Sequence, residues 1–126
     1  MKKILTFLLA VLGLTSACGQ KNYKDVNVDE FAALVADSSV VILDVRTADE
    51  FRDRHIERAL NIDVRQDGFM EKAKALLPTD KTIAVYCRSG RRSADACDKL
   101  SAEGYQVVNL KGGIMAWTAE KKSVNH

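Results

Sequence analysis

Short apolar runs alternate with amphipathic stretches along most of the chain. Four apolar runs predict strands that are buried in a sheet. They lie at 40–43, 59–62, 82–86 and 106–110. The stretches around these runs repeat apolar residues every three or four positions, which is the period of a helix. The predicted helices begin near 27, 47, 69, 93 and 114.

Residues at the ends of these stretches support the helices. Asn27 and Thr47 are each followed three positions later by glutamate, which is the spacing of a capping box at a helix start. Pro78 ends the helix that begins at 69, and Gly104 ends the one that begins near 93. Both the starts and the stops of these helices can therefore be read from the sequence.

Strands that alternate with helices predict an α/β domain. Its central sheet should be mostly parallel, with helices on both faces. A chain of 126 residues is long enough for one such domain and too short for two. In sheets of this kind, ligands bind at the carboxyl ends of the strands. Cys87 directly follows the run 82–86 and should lie at such an end.

The first residues follow a different pattern, typical of a bacterial export signal. A basic start is followed by an apolar run at 4–14 and by the small residues 15–17, which precede Cys18. The apolar run is shorter than the ~20 residues that span a bilayer. Because it ends at a cysteine, the segment resembles a lipoprotein signal, in which Cys18 would carry the lipid.

This interpretation divides the chain into four parts. Residues 1–17 are the predicted signal peptide, 18–26 a polar tether, 27–121 the domain, and 122–126 a tail. The protein is then expected in the bacterial cell envelope, anchored to the membrane through lipid only and facing the periplasm. The alternative is ordinary secretion with cleavage nearby.

Charge gives no reason to expect a nucleic-acid partner. The whole chain has a net charge of +2, but without residues 1–17 it has 17 basic and 17 acidic residues. The remaining positive charge is concentrated locally, at Arg88, Arg91 and Arg92, directly after Cys87.

The loop after Cys87 favours an ionised thiol. If the segment Arg88–Arg92 curls around the sulfur, its backbone N–H groups form an anion-binding nest, and the following helix start adds partial positive charge. Gly90 can adopt the positive φ that such a curl needs. These groups and the arginines should lower the thiol pKa from its usual value near 8.5. Cys87 is therefore the predicted nucleophile.

The spacing of the arginines separates two chemistries that use such a loop. Cysteine-dependent phosphatases have an arginine six positions after the cysteine, where it grips phosphate oxygens. Here that position is Ser93, and the nearest arginine, Arg92, is at five. The loop is one residue shorter than a phosphate cradle, which favours a single terminal sulfur.

The segment Cys87–Ser93 resembles the active-site loop of the rhodanese family of sulfurtransferases. Three further segments resemble its motifs in the same order, namely 43–51, 55–62 and 112–117. The similarity covers roughly residues 24–121. One departure is at 54–59, where the family usually has Gly-His-Ile-Pro-Gly-Ala and this chain has Arg-His-Ile-Glu-Arg-Ala.

The resemblance implies a single rhodanese-like domain and a double displacement. Cys87 would take sulfur from a small anionic donor such as thiosulfate, form a persulfide, and pass the sulfur to cyanide or a thiol. No metal or organic cofactor is expected, and a monomer is expected. The residues implied to bind substrate or persulfide are Arg88, Ser89, Gly90, Arg91, Arg92 and Arg46.

Several of these residues have an equally reasonable structural role. Arg46 could instead form an ion pair with Asp44 or Glu50, and Arg92 could form a salt bridge outward, while Arg91 should face solvent. Asp44 and His55 are expected to support the fold rather than to act as acid or base. Cys97 lies ten residues after Cys87 and more than two helical turns into the next element, so a disulfide between them is not expected and Cys97 is assigned to the core.

The sequence is also compatible with two rival functions. The first is a sulfur-carrier or partner-binding module without rapid turnover. The second is a phosphatase or arsenate reductase on a related fold, which the short loop disfavours.

Overall fold

A computed structural model describes residues 21–126 of the protein. The predicted signal peptide, the lipid-bearing Cys18 and the start of the tether lie outside the described residues. The strands are β1 Lys24–Val26, β2 Val41–Asp44, β3 Leu60–Asn61, β4 Thr82–Tyr86 and β5 Gln106–Leu110. The helices are α1 Val28–Val35, α2 Ala48–Asp53, α3 Phe69–Leu76, α4 Arg91–Ala102 and α5 Gly113–Ala119. Within residues 21–126, no helix is both long enough and apolar enough to cross a bilayer.

The five strands form one parallel sheet in the order β1-β5-β4-β2-β3. The sheet therefore confirms the predicted α/β class. Strand β4 lies in the middle, between β2 and β5, so its carboxyl end opens at the centre of the sheet edge. Ligands bind at this edge in parallel sheets.

Side chains alternate between two apolar cores, one on each face of the sheet. In β4, Ile83 and Val85 point into the core that α3 and α4 cover. Ala84 and Tyr86 point into the core that α1 and α5 cover. This period-two alternation arises because successive residues of a strand face opposite sides. It confirms that helices lie on both faces.

The predicted tether is wrong at its carboxyl end. Residues Lys24–Val26 are an edge strand that pairs in parallel with β5. Only Val26 of this strand is buried, so the segment has too few apolar residues for a recognisable alternation. Charged residues are typical of edge strands, and two of the three residues are charged.

Helix α4 begins earlier than predicted, at Arg91 instead of near 93. Its N-cap is Gly90, with φ 104°, and no side chain caps the helix, so the sequence carries no capping residue to recognise. The buried face is also displaced. It consists of Ser93, Ala96, Cys97 and Leu100, whereas the predicted face included Ala94, which is only partly buried.

The segment 54–59 forms a hydrogen-bonded turn without the glycines that the family usually has there. The N–H of Ala59 donates to the carbonyl of Ile56 at 3.1 Å, which closes a four-residue turn. Arg58 lies at the third position of this turn with φ 72°, in the left-handed region. Its guanidinium bonds to the carbonyl of Val35. The chain therefore adopts at Arg58 a conformation that glycine adopts more easily.

Replacing Arg58 tests this strain. Arg58→Gly and Arg58→Ala both remove the bond to Val35, but only alanine keeps a Cβ in the left-handed region. We expect the glycine variant to be more stable than the alanine variant by about 1 kcal/mol, the cost of that conformation. Urea denaturation of the two variants measures the difference. Equal stabilities would show that the turn is not strained at this residue.

Candidate active site

Cys87 follows the last residue of the central strand β4. Its side chain lies in the same core as Val85, because the alternation of β4 continues for one residue beyond the strand. The residue is 1% exposed. The sheet thus fixes the position of the thiol, and the polar loop 88–90 starts directly from it.

The sulfur of Cys87 accepts hydrogen bonds from residues of the loop and helix that follow it, namely Ser89, Gly90 and Ser93. The N–H of Gly90 lies 3.0 Å from Sγ, and the hydroxyl of Ser93 lies 3.3 Å from it. Burial alone would raise the pKa of the Cys87 thiol, but bonds from the hydroxyl and backbone of Ser93 and from the backbones of Gly90 and Ser89 outweigh it. The net effect is a lowered pKa, as the sequence predicts for a thiol in a nest of amides.

Helix α5 holds the same loop from the other side. The N–H of Ile114 donates to the carbonyl of Cys87 at 2.9 Å, and the N–H of Met115 donates to that of Arg88 at 3.1 Å. This approach requires glycine at 113, because a Cβ there would lie 2.3 Å from the Arg88 oxygen and 2.6 Å from the Cys87 oxygen. The Gly112–Gly113 pair is thus part of the site.

Ser93 is a site residue that the sequence reasoning missed. It is fully buried in the first turn of α4, and its hydroxyl donates to Cys87 Sγ. The signal was available, because Ser93 is the one polar residue on the buried face of α4, which otherwise consists of Ala96, Cys97 and Leu100. In the sequence, Ser93 was interpreted only as the position where a phosphatase would have its arginine.

The Arg92 side chain forms the salt bridge that the sequence offered as the alternative to persulfide binding. Its two terminal nitrogens bond to the two carboxylate oxygens of Glu50 on α2, at 2.8 and 3.0 Å. Glu50 also accepts from the backbone and hydroxyl of Thr47 in the predicted capping box. The pair therefore ties α2 to the start of α4, one residue before Ser93.

The Arg92–Glu50 pair predicts an acid-sensitive contribution to stability. Bonds from Arg92 lower the pKa of Glu50 to about 2, against a usual value near 4.3. Because the pKa in the folded state is the lower one, the contribution is complete above about pH 4.3 and is lost as the pH falls towards 2.

Glu50→Gln isolates this contribution, since glutamine keeps the capping box. The Glu50 side chain is 29% exposed, so we expect the wild type to be more stable at pH 7 by only about 1–2 kcal/mol. The advantage should shrink between pH 4 and pH 3 in urea denaturation. A difference that stays constant over this range would contradict the assignment.

Arg46 has the structural ion pair with Asp44 that the sequence offered as the alternative to substrate binding, although it also lines the cavity beside the loop. Its guanidinium lies against the carboxylate of Asp44, with Nε at 3.0 Å and Nη2 at 2.7 Å, and it also donates to the carbonyl of Arg54 at 2.6 Å. It lies 5.6 Å from the ring centroid of Tyr86. Asp44 is fully buried and accepts these bonds, in agreement with its predicted supporting role.

His55 and Cys97 have the surroundings of structural residues. His55 bonds through Nδ1 to the carbonyl of Phe51 at 2.8 Å and stacks on the Phe51 ring, with centroids 3.8 Å apart. Cys97 is a free, fully buried cysteine in the core beneath α4, as is Cys87. Burial raises the pKa of the Cys97 thiol, in contrast to Cys87.

A cavity of about 310 Å³ lies beside the loop. Arg88, Arg46 and Arg54 line it together with Glu50 and Asp53, among other residues. Cys87 is not part of the lining, and Arg88 connects the cavity to the loop. Arg91 is exposed, as expected. Among residues 21–126, no group of three or more His, Cys, Asp or Glu side chains is placed to hold a metal ion.

The site is a buried thiol whose sulfur accepts hydrogen bonds from Gly90 and Ser93. Among residues 21–126, no histidine or carboxylate is hydrogen-bonded to this sulfur to act as a general base. Such a sulfur is stabilised as an anion, and it can act as a nucleophile towards a soft electrophile such as sulfur.

Sequence comparison identifies the family. The profile described as "Rhodanese-like domain" matches residues 27–120, so the chain belongs to the rhodanese-like family. A protein of Allochromatium vinosum named "Sulfurtransferase" is 34% identical over 95 residues, which cover 74% of this chain and 86% of that protein. "Thiosulfate sulfurtransferase 18" of Arabidopsis thaliana is 40% identical over 95 residues, 66% of this chain and 70% of that protein.

Structural comparison agrees. The fold is similar to the crystal structure of a rhodanese-related protein from Thermoplasma volcanium, with a TM-score of 0.74 and 33% sequence identity. The match covers 82% of this chain and 98% of the other. The names of the two sequence relatives support rhodanese-type sulfur transfer at the level of the family.

Proposed function

We propose that the protein moves sulfane sulfur from a thiosulfate-like donor to a thiol or cyanide through a persulfide on Cys87. The observation that carries the proposal is the set of hydrogen bonds from Gly90 and Ser93 to Cys87 Sγ. They stabilise a negative sulfur before any substrate binds, which is preorganised electrostatic stabilisation.

In the first step, the Cys87 thiolate attacks the outer sulfur of thiosulfate. A bond forms between Cys87 Sγ and that sulfur, and the S–S bond of thiosulfate breaks. Sulfite leaves with the bonding electron pair, and the persulfide carries the negative charge on its outer sulfur. The amides of the short loop and the helix start are the donors that face this charge.

In the second step, an acceptor removes the outer sulfur. The carbon of cyanide or the sulfur of a thiolate forms the new bond, the S–S bond of the persulfide breaks, and Cys87 leaves as a thiolate. The products are thiocyanate or an acceptor persulfide. No external oxidant or reductant is needed, since each displacement transfers a neutral sulfur atom. Ping-pong kinetics follow from the two separate steps.

The charges around the loop support an anionic donor. Arg88 is exposed, lies next to the nucleophile and lines the cavity with Arg54. Arg92 and Arg46 are each paired with a carboxylate, Glu50 and Asp44, which partly neutralises the charge that they offer to an anionic substrate. Arg88 is thus the arginine of the loop that we assign to donor recruitment.

Intact-mass measurement after incubation with thiosulfate tests the proposal. We expect a gain of one sulfur atom on the peptide that contains Cys87, and its removal by cyanide. Persulfide formation without saturable turnover would favour the sulfur-carrier alternative. No gain of sulfur, or Cys87-dependent hydrolysis of an aryl phosphate in its place, would refute the proposal.

We further propose export and lipidation at Cys18, on the basis of the sequence pattern of residues 1–18. Metabolic labelling with palmitate should mark the wild-type protein and not a Cys18→Ala variant, with the label in the membrane fraction. Equal labelling of both proteins, or of neither, would contradict this proposal.

A further inference from the structure

A buried asparagine lies beneath the active-site loop and is not explained by the core. Asn109 is in β5, is 4% exposed and is aligned with Val85 of β4 on one side and with Asp25 of β1 on the other. It follows Val107 on the face that α4 covers. A residue that served only the packing of this core would be apolar, as Val107 is.

The Asn109 amide connects the edge strand to the loop. Its Nδ2 donates to Asp25 Oδ1 at 3.0 Å and to the carbonyl of Gly90 at 3.4 Å. The Gly90 carbonyl also accepts the first helical bond of α4, from the N–H of Ala94 at 3.2 Å. Asn109 thus holds the residue whose own N–H lies 3.0 Å from Cys87 Sγ.

The orientation of the Asn109 side chain leaves one of its polar atoms without a hydrogen bond. Its Oδ1 is buried and has no hydrogen-bond partner. The opposite amide orientation would place Oδ1 against two acceptors, the Asp25 carboxylate and the Gly90 carbonyl. Only the observed orientation lets the amide donate to both, so the unpaired oxygen is the consequence of holding Gly90.

Gly90 has no side chain of its own to fix it, so its position depends on contacts from neighbouring elements. It has φ 104° and caps α4 without a side chain. Its Cα packs against the end of β5, since a Cβ there would lie 3.3 Å from the Gly112 nitrogen and 3.5 Å from the Leu110 oxygen. Contact from β5 therefore limits Gly90 on one side, and the Asn109 amide holds its carbonyl together with the N–H of Ala94.

We propose that Asn109, held by Asp25, is a positioning residue that aims the Gly90 N–H at the sulfur of Cys87. The proposal rests on the proposed function, since it assigns these residues a part in preparing the nucleophile. Other titratable or charged groups near the sulfur are Arg92 and Cys97 of α4, with Glu50 of α2 bound to Arg92. None of them contacts Asn109 in a hydrogen bond.

The test measures the pKa of the Cys87 thiol from the pH dependence of its alkylation by iodoacetamide. All proteins carry Cys18→Ala and Cys97→Ala, so that Cys87 is the only thiol of the three cysteines. We expect Asn109→Leu to raise the thiol pKa by about 0.5 to 1, which lowers the thiolate fraction about 3- to 10-fold. Asn61→Ala is the matched control, because its Nδ2 also bonds to backbone carbonyls, those of Asp44 and Arg46.

Two variants of Asp25 separate positioning from charge. Asp25→Ala removes the acceptor that anchors Asn109 and should raise the thiol pKa. Asp25→Asn removes the charge but keeps an acceptor oxygen, so it should leave the thiol pKa at the wild-type value or slightly below it. Asp25 is on an exposed edge strand, so both variants should fold.

The outcomes decide between a positioning role and a structural one. An unchanged thiol pKa in Asn109→Leu and Asp25→Ala, with loss of stability similar to that of Asn61→Ala, would overturn the proposal. Alkylation does not require sulfur transfer, so failure of the wild type to form a persulfide would refute the proposed function and leave this measurement valid.

Discussion

Replacing Cys87 by serine is expected to reduce sulfur transfer by at least about 10³-fold. A serine hydroxyl is not ionised near neutral pH, and the bonds from Gly90 and Ser93 cannot make it a sulfur nucleophile. The variant should also fail to gain a sulfur atom from thiosulfate. Initial rates of thiocyanate formation and intact mass measure the two effects.

Cys97→Ala is the matched control for this variant. Cys97 is buried in the same core, so its replacement also removes a buried thiol, but within residues 21–126 no side-chain hydrogen bond joins it to the loop. It should keep the transfer rate within about twofold while losing some stability to a small cavity. If sulfur transfer survived in Cys87→Ser and were lost in Cys97→Ala, the nucleophile would be Cys97, and the mechanism would be refuted.

The fold was largely predictable because its signals are local. The capping boxes at Asn27 and Thr47 are present as predicted, with the side chains of Glu30 and Glu50 bonded back to the caps. Strands β4 and β5 have the predicted bounds, since continuous apolar runs mark buried parallel strands. Strand β1 was missed because its stability comes from pairing with β5, which lies far away in the sequence.

The site was predictable in its nucleophile and less so in its supporting residues. Cys87 and Gly90 follow from position and conformation, which depend on neighbouring residues. The ion-pair partner of an arginine cannot be predicted in this way, because the folded chain could bring any of several carboxylates to it. Arg92 meets Glu50 and Arg46 meets Asp44, and only the packing of α2 against the start of α4 decides the first pair. Asn109 depends in the same way on the pairing of three strands.

The Arg92–Glu50 pair explains in structural terms why the arginine spacing after Cys87 disfavours a phosphatase. An arginine that served an incoming phosphate would need a free guanidinium facing the loop, whereas both terminal nitrogens of Arg92 bond to Glu50. The hydrogen bonds to the sulfur come from the backbone amide of Gly90 and from Ser93 at the start of α4. These donors suit the single charged atom of a persulfide better than three phosphate oxygens.

The close approach of α5 to the loop leads to the second large expected effect. Gly113→Ala should destabilise the protein by about 3 kcal/mol or more, because the new Cβ would overlap the backbone of Cys87 and Arg88 in addition to the cost of its positive φ. To relieve the overlap, α5 must move away and lose the bond from Ile114 to the Cys87 carbonyl. Urea denaturation measures the stability, and alkylation measures the thiol pKa, which should rise.

Gly104→Ala provides the comparison that isolates the contact. Gly104 also has a positive φ, 92°, but a Cβ there would meet nothing within 4 Å. This variant should lose only about 1–2 kcal/mol from backbone strain and keep its thiol pKa and transfer rate. If the two alanine variants were equally stable and equally active, the contact between α5 and the loop would contribute nothing, and the paired glycines would serve the helix start alone. A larger loss at Gly113 with an altered thiol would instead show that α5 helps to hold the nucleophile in place.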